Sequence, residues 1–188
     1  MNKTKRKIFE ISMKLFAEKG YDGTSVEEIT AVVGIAKGTL YYHFSSKEEI
    51  FNFLIDEGMK LLQNSIDIKL AKCTTTDKKI KSIIMIQNKI LVKYQDLVNI
   101  FLSQLWGTES RNLRLKDYIN NYTTLIENIV ITGIENKELR NDIDPTVFSS
   151  AIFGLLCSSL FYKKKTNVEL DIHEIQNQYE KILFESLK

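Results

Sequence analysis

Thr24-Ser25-Val26-Glu27-Glu28-Ile29-Thr30-Ala31-Val32-Val33-Gly34-Ile35-Ala36-Lys37-Gly38-Thr39-Leu40-Tyr41-Tyr42-His43-Phe44 is the stretch that decides the fold. Thr24 and Glu27 have the spacing of a capping box, in which the hydroxyl accepts from the N3 amide and the carboxylate returns to the cap amide. They predict a helix over residues 25–33 with Val26, Ile29 and Val33 on one face. Gly34 supplies a tight reversal, and a second helix is expected over residues 36–43. Two short helices joined at Val33-Gly34-Ile35 have the length and turn of a helix-turn-helix. Advancing about 100° per residue along the second helix puts Ala36, Leu40 and Phe44 on a stripe that must be buried. Gly38 and Tyr42 then point away from the core, flanked by Thr39 and Tyr41, with Lys37 and His43 at the borders. Two aromatics beside a glycine and a lysine fit a surface that meets a partner, because the missing side chain lets backbone approach and phenol hydroxyls reach phosphate. The alternative at this level is that both tyrosines pack on neighbouring helices.

Working outward, residues 2–19 repeat Ile8, Ile11 and Leu15 at helical spacing with Phe9 and Phe16 beside them, and stop at Gly20. Lys3, Lys5, Arg6 and Lys7 make this start locally basic, an arm suited to backbone phosphates. Unpaired amides and the positive dipole end also favour phosphate at helix N-termini, and Ser25 and Lys47 each stand at or near one. Ser46 with Glu49 forms a second capping box, opening a long helix toward Ala71. After a polar break at residues 73–77, a fifth helix runs toward Tyr94, a sixth over residues 96–106 and a seventh over residues 110–137. Asp144-Pro145 reads as an N-cap followed by proline at N1, where its missing amide costs nothing. The eighth helix is expected to end near Tyr162, and Asp171 with Glu174 caps a ninth. One proline and 8 glycines in 188 residues leave few breakers, so the expected fold is all-α, about nine helices, and a turn-rich β-sandwich is excluded.

Composition narrows the function. Hydrophobic residues at 44% and charged residues at 27% are those of a globular protein with a core. A net charge of +2 is too small to name a nucleic-acid partner, so that evidence must be local. Cys73 and Cys157 lie at no metal-ligand spacing and read as reduced, packed thiols, which points to the cytoplasm. Glu10 and Lys14 interrupt any apolar run behind the basic start, so a secretion signal is not expected. Residues 145–162 are uncharged and close to the ~20 needed to span a bilayer, but Thr146, Ser149, Ser150, Ser158 and Ser159 dilute them, and a buried core or interface helix is the preferred reading over a membrane anchor. His173 sits in a cap with no HExxH pattern or nucleophile partner, and glycine-rich phosphate loops are absent, so neither catalysis nor a cofactor or metal is expected. A helical lipid or metabolite carrier remains the rival reading.

Phe16-Ala17-Glu18-Lys19-Gly20-Tyr21, Thr24-Ser25-Val26, Ile29, the run Gly34 to Phe44 and Lys47-Glu48-Glu49 together resemble the tetracycline-repressor (TetR) family. The resemblance covers about residues 5–54. It implies a helix-turn-helix DNA-binding domain at 1–46 and an effector-binding and dimerisation domain at 47–188. It further implies a homodimer whose paired third helices enter successive major grooves of a palindromic, double-stranded DNA operator, usually as a repressor released by a small molecule. Carried over by position, Lys37, Gly38, Thr39, Tyr41, Tyr42 and His43 lie on the DNA-facing helix, and Ser25 and Lys47 touch phosphate. The family commonly has serine where this chain has Ala36, so a capping hydroxyl is missing there. Few of these side chains suit bidentate base reading, leaving Lys37, backbone approach at Gly38, thymine methyl contacts and DNA shape to supply specificity.

Ser150, Gly154 and Ser158, with Ala151 and Cys157 adjacent, form a small-residue strip on the eighth helix, and Ile175, Tyr179 and Ile182 form a seam on the ninth. Both suit a four-helix dimer interface, which is also where the family places its contact; the same stripes could equally serve a monomer core. Phe101, Trp106, Tyr118 and Tyr122 fall in the middle helices, where the family builds its effector cavity. Gln87, Gln104 and Arg111 are possible polar contacts there, although aromatics at helical spacing also make plain core. Such a lining implies a lipophilic effector, and with residues 145–162 read as a core or interface helix no membrane partner is expected. Gly58 marks either a soft point in helix four or close packing.

Overall fold

Side-chain caps set the helix boundaries. The computed structural model describes residues 2–105, 110–166 and 171–184. Its helices are α1 (Lys3–Lys19), α2 (Val26–Val33), α3 (Lys37–His43), α4 (Lys47–Leu70), α5 (Thr76–Lys93), α6 (Gln95–Ser103), α7 (Ser110–Glu135), α8 (Pro145–Thr166) and α9 (Ile172–Phe184), with no strand among the described residues. Asp144 Oδ1 accepts from the Thr146 and Val147 amides at 2.8 and 3.0 Å, and Asp171 Oδ1 from those of His173 and Glu174, as their spacing predicts. Ser46 Oγ accepts from the Glu49 amide at 3.0 Å, while the Glu49 carboxylate reaches back to Ser45.

The cap of α2 stands one residue later than the sequence suggests. Ser25 accepts from the Glu28 amide at 3.1 Å. Thr24 is buried and its hydroxyl instead donates to the carbonyls of Gly20 and Leu15, at 2.9 and 3.2 Å, closing the end of α1. Thr-x-x-Glu and Ser-x-x-Glu overlap here, and burial decides between them. Gly34 takes the left-handed conformation, φ 76° and ψ 42°, that the reversal needs. Two helix ends also differ from expectation: α6 stops at Ser103, and α8 continues to Thr166, since consecutive lysines do not break a helix.

Packing groups the chain into two units: Met1–Lys60 with Tyr94–Lys116, and Leu61–Lys93 with Asp117–Lys188. The opening turns of α4, all of α6 and the start of α7 thus group with α1–α3. In the first unit Ile8, Phe16, Ile29, Val33, Leu40, Phe44, Ile50, Phe51 and Leu54 are buried. The Phe51 ring meets Tyr21 edge-on at 5.2 Å and Phe16 at 6.2 Å, and Phe53 meets Phe44 at 5.5 Å, tying α1 and α3 to the start of α4. At Gly58 an added β-carbon would lie 2.5 Å from Leu97 Cδ2, so this glycine serves close packing of α4 on α6. The second unit is built on Ile66, Ile80, Ile83, Ile84, Ile126, Val130, Phe148 and Ile152. The Glu138 carboxylate caps α5 there by accepting from the Thr76 amide at 2.6 Å.

Candidate functional site

α3 presents one face inward and one outward. Leu40 and Phe44 are buried, whereas Tyr42 is 84% exposed and Tyr41 47%. Lys37, Gly38 and Thr39 are also exposed, and His43 is half-buried with its ring 5.1 Å from that of Tyr42. Neither tyrosine is therefore part of the buried core. Ala36 departs from the expected buried stripe: it is the exposed N-cap, with extended backbone and no side-chain cap bond, so the helical wheel does not apply to it. A β-carbon built at Gly38 meets nothing within 4 Å, so the chain's own packing does not require glycine there.

The charges around this face are engaged within the chain. Lys47 Nζ donates to the carbonyls of Tyr21 and Thr24, both at 2.8 Å, and lies 4.3 Å from the Tyr21 ring centroid. Lys7 donates to the Val33 carbonyl at the end of α2, at 2.8 Å. Lys5 stands over the rings of Phe44 and Phe53, and Arg6 pairs with Glu10 at 2.8 Å. The expected basic arm is thus in good part a set of internal ties, because α1 begins at Lys3 and its side chains reach the helices beneath. Lys47→Met is expected to cost about 1 to 2 kcal/mol by leaving two carbonyls without their charged donor. Urea unfolding of this variant checks it, and an unchanged midpoint would contradict that tie.

Lys37 is paired with Glu27 across the turn between α2 and α3, and both groups are exposed. The hydrogen bond from Lys37 holds the Glu27 carboxyl below the usual carboxylate range. Sequence reasoning assigned Glu27 to a cap and missed this contact, which joins two helices and leaves no local periodicity to read.

In the second unit Tyr122 is buried and donates to Gln87 Oε1 at 2.7 Å, while Gln87 Nε2 donates to the Ile152 carbonyl at 3.1 Å. Burial pushes the Tyr122 phenol well above its ordinary value, so it stays a donor. Tyr118 is half-buried in the same unit, Phe101 belongs to the first unit, and Trp106 and the Arg111 side chain lie outside the described residues.

Along α8, Val147, Ser150, Ala151, Gly154, Cys157, Ser158 and Phe161 form a continuous exposed stripe, and a β-carbon at Gly154 meets nothing within 4 Å. Cys157 is therefore not packed within the chain, and Cys73 is half-buried; both are free thiols. The opposite side of α8 is tied inward: Ser159 bonds Tyr179 at 2.7 Å and Asn88 at 3.1 Å. On α9, Ile175 and Tyr179 face this chain's own core, leaving Ile182 as the exposed member of the seam. Pro145–Lys163 is long and apolar enough to cross a membrane, and within it Ser149 bonds Glu127 and Ser159 bonds Asn88 and Tyr179 on neighbouring helices.

A short outward-facing helix behind a left-handed glycine turn, carried on an all-helical chain, is the form of a helix-turn-helix regulator. Residues 8–53 match the model described as bacterial regulatory proteins, tetR family, and residues 53–185 match that of the YsiA-like protein C-terminal region. The chain belongs to the TetR family. It is similar to a putative fatty acid metabolism regulator of Clostridium perfringens, 32% identical with a TM-score of 0.87, covering 94% of this chain and 96% of that one. It is 24% identical over 180 residues to the fatty acid metabolism regulator protein of Bacillus subtilis (strain 168), covering 94% of this chain and 91% of the relative. A further solved structure, AibR in complex with isovaleryl coenzyme A and operator DNA, matches with a TM-score of 0.80 at 20% identity over 97% of this chain and 98% of that one. The chain is accordingly a transcriptional regulator with a helix-turn-helix and a ligand-binding region, and not an enzyme.

Proposed function

We propose that this chain represses transcription as a homodimer on a palindromic operator and leaves it on binding an acyl-coenzyme A. The outward face of α3 carries the reading: Tyr42 is almost wholly exposed beside a glycine that its own fold does not need. Paired α3 helices would enter successive major grooves, with Tyr42 positioning against phosphate, Lys37 and Thr39 reaching base edges, and Tyr41 and His43 bordering them. Ser25 is exposed at the start of α2, where amides and dipole favour phosphate. Lys47 would act there through the turn it ties as much as through its charge.

The exposed strip of α8 with Ile182 of α9 would meet the same surface of a second copy, the small residues allowing close helix approach. The effector class is supported by relatives named for fatty acid metabolism and by the isovaleryl coenzyme A held by AibR. An acyl tail suits the apolar second unit, in which Tyr118, Tyr122 and Gln87 are the polar-tipped groups.

Selection from random duplex DNA at about 0.15 M salt tests the reading. The expected product is a palindrome with half-sites spaced by whole helical turns, released when isovaleryl- or palmitoyl-coenzyme A is added. No enrichment overturns the regulator reading in favour of a carrier, enrichment without symmetry overturns the dimer, and no release by either compound overturns the effector class. Gly38→Ala is expected to keep or slightly raise stability, by up to about 1 kcal/mol. It should weaken operator binding by about tenfold, the loss of one close backbone contact. Equal binding by this variant would remove Gly38 from the interface.

A further inference from the structure

Glu27 is an acidic side chain on the face that would meet DNA. It is exposed at the start of α2, the end that also favours phosphate, and it is bonded to Lys37 at the start of α3. Its neighbour Glu28 is bonded to Lys19 on the other side of α2, so the two carboxylates have separate partners. Neither Glu27 nor Lys37 is held by burial, and their pairing is a choice the surface can reverse. An acidic group within a phosphate-facing surface opposes general affinity, since nonspecific binding depends on neutralising phosphates with lysine and arginine.

We propose that Glu27 is a specificity-determining residue: it withholds the Lys37 ammonium from random phosphates and releases it only where a matching base edge replaces the carboxylate. This rests on the DNA-binding reading above. On a nonmatching duplex the pair stays closed, Lys37 is neutralised, and the carboxylate faces the backbone at a repulsive distance. On the matching duplex Lys37 exchanges its partner, and the helix dipole at α2 holds the carboxylate left behind. Discrimination then comes from a penalty against the wrong partner as much as from attraction to the right one.

Glu27→Gln tests this with two probes, the palindrome recovered by selection and a scrambled duplex of the same composition. Glutamine keeps the length of the side chain and leaves Lys37 free. Affinity for the scrambled duplex is expected to rise about three- to tenfold with a steeper salt dependence, by about one more phosphate per subunit. Affinity for the palindrome should rise less, so the ratio between them falls. In a Lys37→Ala background, Glu27→Gln should change that ratio much less, because the ammonium it governs is gone. An unchanged ratio in the wild-type background overturns the proposal while leaving DNA binding intact. A wild-type protein that selects no sequence overturns both. Circular dichroism of each variant confirms the shared fold, and Glu27→Asp, which shortens the reach to Lys37, should fall between wild type and Gln.

Discussion

Phe51→Ala is expected to destabilise the protein by about 3 to 5 kcal/mol, as a fully buried aromatic deleted from a packed core does. Phe51 is 0% exposed and packs against the rings of both Phe16 and Tyr21, which come from the end of α1 and the turn after it and also touch each other. The backbones of both neighbours are held, Tyr21 by the Lys47 bond to its carbonyl and Phe16 within α1, so only ring movement can fill the space. Collapse of the cavity is thus limited and the cost is at the upper part of the range. Partly buried Phe53, two residues on, should cost less when truncated, although Lys5 would lose one of its two ring partners. Urea unfolding followed by far-ultraviolet circular dichroism reads both. A cost below about 1 kcal/mol for Phe51→Ala would contradict the packing of α1 on α4.

Lys37→Ala with Tyr42→Ala is expected to lower operator affinity by about 100-fold or more, since each change is made twice in the proposed dimer and charged or aromatic contacts contribute about 1 to 3 kcal/mol each. Both side chains are exposed, so the fold should be unaffected. The single variants should differ in kind. Tyr42→Ala is expected to weaken binding evenly across sequences, as loss of a positioning contact does. Lys37→Ala should flatten the salt dependence and relax preference at one position of each half-site. Fluorescence anisotropy against the selected palindrome and its point variants separates the two. Wild-type affinity in the double variant would remove α3 from the interface.

Much of the fold is legible because helix ends are written in local chemistry. Asp144-Pro145 and Asp171-x-x-Glu174 are caps in the structure as in the sequence, and Gly34 adopts the one conformation for which glycine is needed. The outward face of α3 is legible too, since Leu40 and Phe44 fix its rotation. Tertiary contact is what local pattern does not carry. Thr24 reads as a cap until burial turns its hydroxyl toward α1, and Ser25 takes over. Lys5 and Lys7 read as part of a free arm until their partners Phe44 and Val33 are in place. Tyr179 repeats along α9 like an interface residue, yet its hydroxyl belongs to Ser159 and the carbonyl of Leu155. The Glu27–Lys37 pair has no counterpart in sequence periodicity, because it joins the start of one helix to the start of the next across a turn.

The measurement that bears most directly on the regulator reading is ultraviolet crosslinking to the selected palindrome with 5-bromouracil in place of its thymines. The bromine takes the position of the thymine methyl group in the major groove. Mass spectrometry of the crosslinked peptides is expected to place the attachment within residues 37–43, at symmetry-related thymines of the two half-sites. Crosslinks confined to other helices, or none from a duplex that the protein binds tightly, would contradict the insertion of α3 into the major groove.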